Sequence, residues 1–224
     1  MRLRRTRRDQ ERDDTGMTLV ELIVAMGIFT VVIAVFMAGI VVMTKNTARA
    51  QAVADAGDEV RRVFQRLDRE VRYASAINRP GTGSSGAYYV EYLVSAVEAG
   101  KQPMCTQWRY VPATGTIERR TWANVTSGAS PSAWSTLANR VRNDLATQKP
   151  FEFTPAGSIN ASQQLRVFLD VGPGAGGPDA RKGAQLDSQF VARNTDTSTT
   201  TNADIDNNGA SDTPVCQQSG TGRP

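Results

Sequence analysis

The sequence predicts an α+β protein in which one long N-terminal helix packs on an antiparallel β-sheet. Three observations predict it. From Leu22 to Met43 no charged residue interrupts a run dominated by Val, Ile, Ala, Met and Phe. Directly after it, with no helix breaker, Val53, Ala56, Val60, Val63, Phe64, Leu67, Val71, Ala74 and Ile77 recur at three- and four-residue steps, the stripe of an amphipathic helix. Beyond Gly86 the period falls to two, in short β-branched and aromatic segments.

The apolar run is long enough to cross a membrane. As a helix it rises about 33 Å, the thickness of a bilayer core. Six arginines precede it (Arg2, Arg4, Arg5, Arg7, Arg8, Arg12), whereas Lys45 and Arg49 follow more sparsely. The positive-inside bias therefore predicts a cytoplasmic N-terminus and an extracytoplasmic domain after Met43. A cleaved secretory signal has a shorter apolar region ending at a small-residue site, and this run exceeds it. An ordinary signal anchor leaves Glu21 unexplained, because a carboxylate near the lipid costs roughly 1–3 kcal/mol. One helix is predicted from about Thr18 to Asn78, where "NRPGTGSSG" ends it with Pro80 and a run of glycines.

The strands follow. "AYYVEYLVSAV" (Ala87 to Val97) alternates, and "CTQWRYVPATGTIERRTW" reads as a hairpin turning at Pro112 to Gly115. "FEFTPAG" and "QQLRVFLDVG" give two more, the latter with Leu165, Val167, Leu169 and Val171 on one face. "SAWSTLANRVRNDLA" reads as a short helix or an irregular crossover. "GPGAGGPDA" (Gly172 to Ala180) lacks the Lys-Ser/Thr of a phosphate loop and reads as a flexible connection.

Gly16 followed by Met17, Thr18, Leu19, Val20 and Glu21 at the head of the apolar helix resembles the class III signal of type IV prepilins and type II secretion pseudopilins, whose pattern is G, then F/M-T-L-x-E. Met17 stands where phenylalanine is commoner. The resemblance implies that a prepilin peptidase cuts between Gly16 and Met17 and methylates the new amine of Met17. It also makes Glu21 an assembly residue, about one helical turn from that amine and able to pair with it within or between subunits. The stalk and the hairpin "WRYVPATGTIERRTW" are similar to minor pseudopilins of the J type and to minor pilins of the PilW type.

These resemblances imply a pilin-like fold with a basic leader at 1–16, a transmembrane and filament-core helix at 17–45 and an amphipathic stalk helix at 46–78. A β-rich globular domain at 79–193 and a polar C-terminal region at 194–224, tied by Cys216, complete it. They imply a minor subunit that helps prime a type II secretion pseudopilus or a type IV pilus tip, or alternatively a DNA-uptake or adhesion pilus subunit. The expected partners are prepilin peptidase, other pilins or pseudopilins, the inner-membrane assembly platform and membrane lipid. The expected location is a single pass through the cytoplasmic membrane before assembly, then a periplasmic or cell-surface filament.

Composition argues against an enzyme. There is no histidine, so the usual neutral-pH base and the commonest metal ligand are missing, and no GxSxG elbow singles out a serine. The net charge is +4, of which the first sixteen residues supply about half, so nucleic acid is not an expected partner. Arg61, Arg62, Arg66, Arg69 and Arg72 read as a solvated helix face with local partners, Asp58 for Arg62, Asp68 for Arg72 and Glu70 for Arg66. Cys105 and Cys216 lie in no CxxC arrangement. Outside the cytoplasm they are expected to form a disulfide, the alternative being a buried thiol pair. "NVT" at Asn124 and "NAS" at Asn160 match glycosylation triplets that also arise by chance.

No cofactor is expected, with one open case. Asp204, Asp206, Asn208, Gly209 and Asp212 spell D-x-D-x-N-G-x-x-D, oxygen ligands at the alternate spacing of a calcium loop. The twelfth position is Val215 rather than Glu, so an EF-hand is not matched. A looser calcium turn and a metal-free Asx-rich turn both remain open.

Overall fold

A computed structural model describes residues 16–95, 101–172, 183–199, 202–209, 211–217 and 221–224. The basic leader before Gly16, most of the Gly172 to Ala180 connection, and Ala96 and Val97 of the first strand segment lie outside the described residues. The chain divides into two compact units, Met1–Arg49 and Ala50–Pro224.

In the first unit the described residues from Leu19 onward are helical, and every side chain is exposed. This stretch is long and apolar enough to cross a membrane, and none of it is buried. A surface of that kind is stable in lipid or against other apolar helices, not in water. The hydroxyls in and just beyond it are neutralised locally. Thr30 donates to the Met26 carbonyl at 2.8 Å, Thr44 to Ile40 at 2.9 Å and Thr47 to Met43 at 3.0 Å, so none needs a water partner.

The second unit begins within the same helix, α1 (Leu19–Arg72), and continues with nine strands. Ala56, Val63, Leu67 and Val71 are buried at helical spacing and form one wall of the core. The six-stranded sheet contains β1 (Ala74–Ile77), β2 (Gly81–Thr82), β3 (Tyr88–Val94), β4 (Met104–Val111), β5 (Thr116–Ala123) and β6 (Ser135–Ala138). Its order is β1-β3-β4-β5-β6, with β2 also paired to β3. The second sheet is β7 (Phe151–Thr154), β8 (Gln164–Val171) and β9 (Ala184–Val191), in that order. All named pairings are antiparallel. The α+β expectation, a long helix on antiparallel strands, is what the structure has, with two sheets where one was expected.

Strand alternation decides the faces. Val90, Tyr92, Trp108, Tyr110 and Ile117 join α1 in the main core, together with Leu165, Val167, Leu169 and Val171 of β8. The hairpin turn falls where the sequence put it, between Val111 and Thr116. Gly115 has φ 62°, and a Cβ there would sit 2.9 Å from the Val141 carbonyl, so a side chain is excluded both by conformation and by contact.

Three expectations are corrected. The helix stops at Arg72, not at Asn78, and Ala74 to Ile77 pair with β3 as a strand. The stop is made by tertiary partners: the Arg193 backbone amide donates to the Arg72 carbonyl at 3.1 Å and the Asn194 side chain donates from Nδ2 to the Tyr73 carbonyl at 3.0 Å. "SAWSTLANRVRNDLA" contains no helix; it gives β6 and a bridge from Val141 to Val171. Glu70 is not the partner of Arg66. It meets Arg119 of β5 at 2.9 Å and accepts the Tyr92 hydroxyl at 2.5 Å, while Asp68 does pair with Arg72 as expected.

The Glu70 contacts key the helix to the sheet. Trp108 Nε1 donates to the Tyr92 hydroxyl at 2.8 Å, and that hydroxyl donates to Glu70. Burial first, then the Glu70 charge, hold the Tyr92 phenol well above its ordinary range. Because the folded value is raised, this tyrosine's contribution to stability is complete below pH ~10 and is lost as pH rises through the folded value. Tyr92→Phe is expected to cost about 1–3 kcal/mol at neutral pH by leaving Trp108 Nε1 unpaired, and to flatten the alkaline fall in stability. Urea unfolding between pH 8 and 11 checks both.

Candidate processing and assembly site

Gly16 and Met17 precede α1 in exposed backbone outside any helix or strand, and Met17 is 67% exposed. Nothing lies within 4 Å of a Cβ built on Gly16. Thr18 caps the helix: its hydroxyl accepts the Glu21 amide at 3.3 Å, and its carbonyl accepts the Leu22 amide at 3.1 Å. Thr18 to Glu21 thus follows the spacing of a capping box. The Glu21 side chain, however, has no hydrogen-bond or ion-pair partner among the described residues.

A carboxylate in the first turn of a helix is favoured by the positive end of its dipole, by about 0.3–1 kcal/mol. That accounts for Glu21 being tolerated. It does not give the charge a partner at the edge of a surface whose other side chains are apolar and uncovered. An amine formed at Met17 would stand one turn away, at the end the dipole least favours for a cation.

The other residues singled out in the sequence lie in the second unit. Cys105 of β4 and Cys216 form a disulfide, with Cα atoms 5.6 Å apart, packed against Trp122. The polar C-terminal region holds Asp204, Asp206 and Asp212 together, each offering a carboxylate oxygen within 4.8 Å of the others. Asn208 joins them, its amide nitrogen 2.7 Å from Asp206.

A network missed in the sequence covers the sheet face opposite α1. Glu91, 3% exposed, accepts from Gln107 at 2.7 Å, from Asn78 at 3.1 Å, and from Arg223 at 2.9 and 2.6 Å. Arg120 donates to Gln107 and to the carbonyls of Thr221 and Gly222. Beside it, Trp134 lies under the Arg109 and Arg120 guanidiniums, at 3.9 and 4.5 Å. The one signal in the sequence was a glutamate inside an otherwise apolar, aromatic strand.

The family described as prokaryotic N-terminal methylation motif matches residues 12–42. No curated protein and no solved structure matches the chain. The matched residues contain the Gly16–Met17 bond, Glu21 and most of the apolar half of α1. That motif at the head of a bare apolar helix marks a membrane-anchored, prepilin-like chain that carries the processing signal read by prepilin peptidase.

Proposed function

We propose that this chain is a structural minor subunit of a type II secretion pseudopilus or type IV pilus, cut after Gly16, methylated at Met17 and assembled through α1. The observation that carries the reading is Glu21, a carboxylate without a partner among the described residues, at the head of a helix whose first half is apolar and exposed throughout. Packing α1 among the helices of other subunits removes that surface from lipid, and the methylated amine of a neighbour neutralises Glu21. The second unit then stands outside the cytoplasm, where its disulfide is stable. The J-type and PilW-type resemblance of the stalk and hairpin supports a place at the filament tip and a part in priming assembly, with the assembly platform and other pilins as partners. The structural role needs no catalytic group.

Mass spectrometry of the protein from its own membrane is expected to show a chain beginning at methylated Met17. Glu21→Ala is expected to insert normally and to lose about tenfold in filament incorporation, the effect of some 1.4 kcal/mol. A chain still beginning at Met1 would remove the processing reading; wild-type incorporation of the variant would remove the role of Glu21.

A further inference from the structure

The C-terminal loop from Asn202 to Thr213 is closed at its base by backbone. The Asn202 amide donates to the Thr213 carbonyl at 3.1 Å, and the Asp212 amide to Ala203 at 2.8 Å. Closure brings Asp212 beside Asp204, eight residues earlier in the chain. Asn202, itself buried, donates from its side chain to the Ile77 carbonyl, and Val215 exchanges hydrogen bonds with Asn78 at 2.8 and 2.9 Å. The loop is therefore fixed to the end of β1 on both sides before any ligand is considered.

Within it, three carboxylates lie within 4.8 Å of one another. At that separation the carboxylates repel one another even at the dielectric of water, and more strongly where water is excluded. Asp206 and Asp212 are exposed, but the Asp204 side chain is only 9% exposed. Asp204 Oδ2 accepts the Gly209 amide at 3.1 Å, while Oδ1 is buried with no hydrogen-bond partner. A buried, unpaired carboxylate oxygen costs free energy unless a donor or a cation reaches it.

The nearest cation does not. Arg79 Nη1 stands 3.6 Å from Asp204 Oδ2, beyond hydrogen-bond distance, and its Nε is likewise buried without a partner. The guanidinium lies over the Phe153 ring, 5.5 Å from its centre. One guanidinium at the edge does not balance three carboxylates.

We propose that Asp204, Asp206 and Asp212 bind a calcium ion, with Asp204 Oδ1 as the buried ligand and solvent completing the shell. The donors are all hard oxygens, which excludes softer metals on ligand type. Carboxylates carried on an irregular loop suit the variable coordination of calcium better than the near-octahedral demand of magnesium. Asn208 now donates to Asp206 and serves as an additional ligand only after its amide turns over. Three carboxylates on an open loop place the affinity with extracellular calcium modules, at a dissociation constant of about 0.1–1 mM. Such a site fills outside the cell membrane and not in the cytosol. This inference is independent of the assembly role of Glu21.

Calcium titration of the full-length chain in detergent, followed by calorimetry, tests it. One saturable site of that affinity is expected, with magnesium at least tenfold weaker. Asp206→Asn, an exposed and near-isosteric change, is expected to weaken calcium at least tenfold, and Arg79→Gln to tighten it by removing a competing cation. Circular dichroism and the intact disulfide report that each variant is folded. No saturable binding up to about 10 mM calcium would overturn the proposal. Wild-type affinity in both Asp206→Asn and Asp212→Asn would overturn it as well, by locating binding elsewhere.

Discussion

Arg223→Ala is expected to destabilise the second unit by about 3–5 kcal/mol, the usual effect of removing one partner of a buried ion pair. Arg223 contributes two hydrogen bonds to Glu91 and one to the Arg79 carbonyl, at 2.9, 2.6 and 2.8 Å. Without it, Glu91 keeps only the amides of Gln107 and Asn78 in a place 3% exposed to solvent. Neutral donors do not compensate a buried charge. Glu91→Gln in the same background is expected to recover part of the loss, because the uncompensated charge is gone. Urea midpoints of the two single variants and the double variant give the coupling. Additive losses would show that Arg223 acts by covering the strand and not through its charge.

The second large effect belongs to the disulfide. Cys105 and Cys216 are separated by 111 residues, and closing a loop of that size restricts the unfolded chain by about 4–5 kcal/mol. Replacing both cysteines by alanine is expected to lower stability by about 2–5 kcal/mol, the range seen when native disulfides are removed. Reducing agent should reproduce the effect in the wild-type chain and leave the double variant unchanged. The Trp122 packing around Cys105 and Cys216 survives substitution better than the covalent tie does, so the loss should appear mainly as a lower urea midpoint. A midpoint unchanged by reduction would show that noncovalent contacts alone hold the C-terminal segment.

The sequence made some of this visible and hid the rest for physical reasons. The apolar run and the Gly16 to Glu21 motif are local patterns, and a local pattern can be read without knowing the fold. The end of α1 could not be read, because Val71, Ala74 and Ile77 continue the helical spacing. What ends the helix is the pairing of Ala74 with Val94 and the amide of Arg193, both distant in sequence. β9 escaped notice because Leu186 and Phe190 are its only buried apolar side chains on an otherwise polar strand. The partner of Glu70 was misplaced for a related reason. Helical spacing offers Arg66, but a packed sheet offers Arg119, already held near the buried Tyr92. In the candidate site, Gly16, Met17 and Glu21 were singled out by a resemblance carried in their order, while the network around Glu91 depends on residues more than a hundred positions apart.

The contacts that complete β1 and β3 set an order of events. Glu91 waits for Arg223 across 132 residues, Tyr89 for Pro224 across 135, and Ile77 for Asn202 across 125. A central strand completed by residues 132 and 135 positions later cannot finish folding before those residues reach it. Loops of that length close slowly, so the domain belongs among slow, high-contact-order folders. Until those residues dock, a buried-type aromatic strand is open on one face and prone to wrong pairing. Substitutions that weaken the Arg223 contacts to Glu91 should therefore show first as aggregation during folding, before they show as a change in the finished structure.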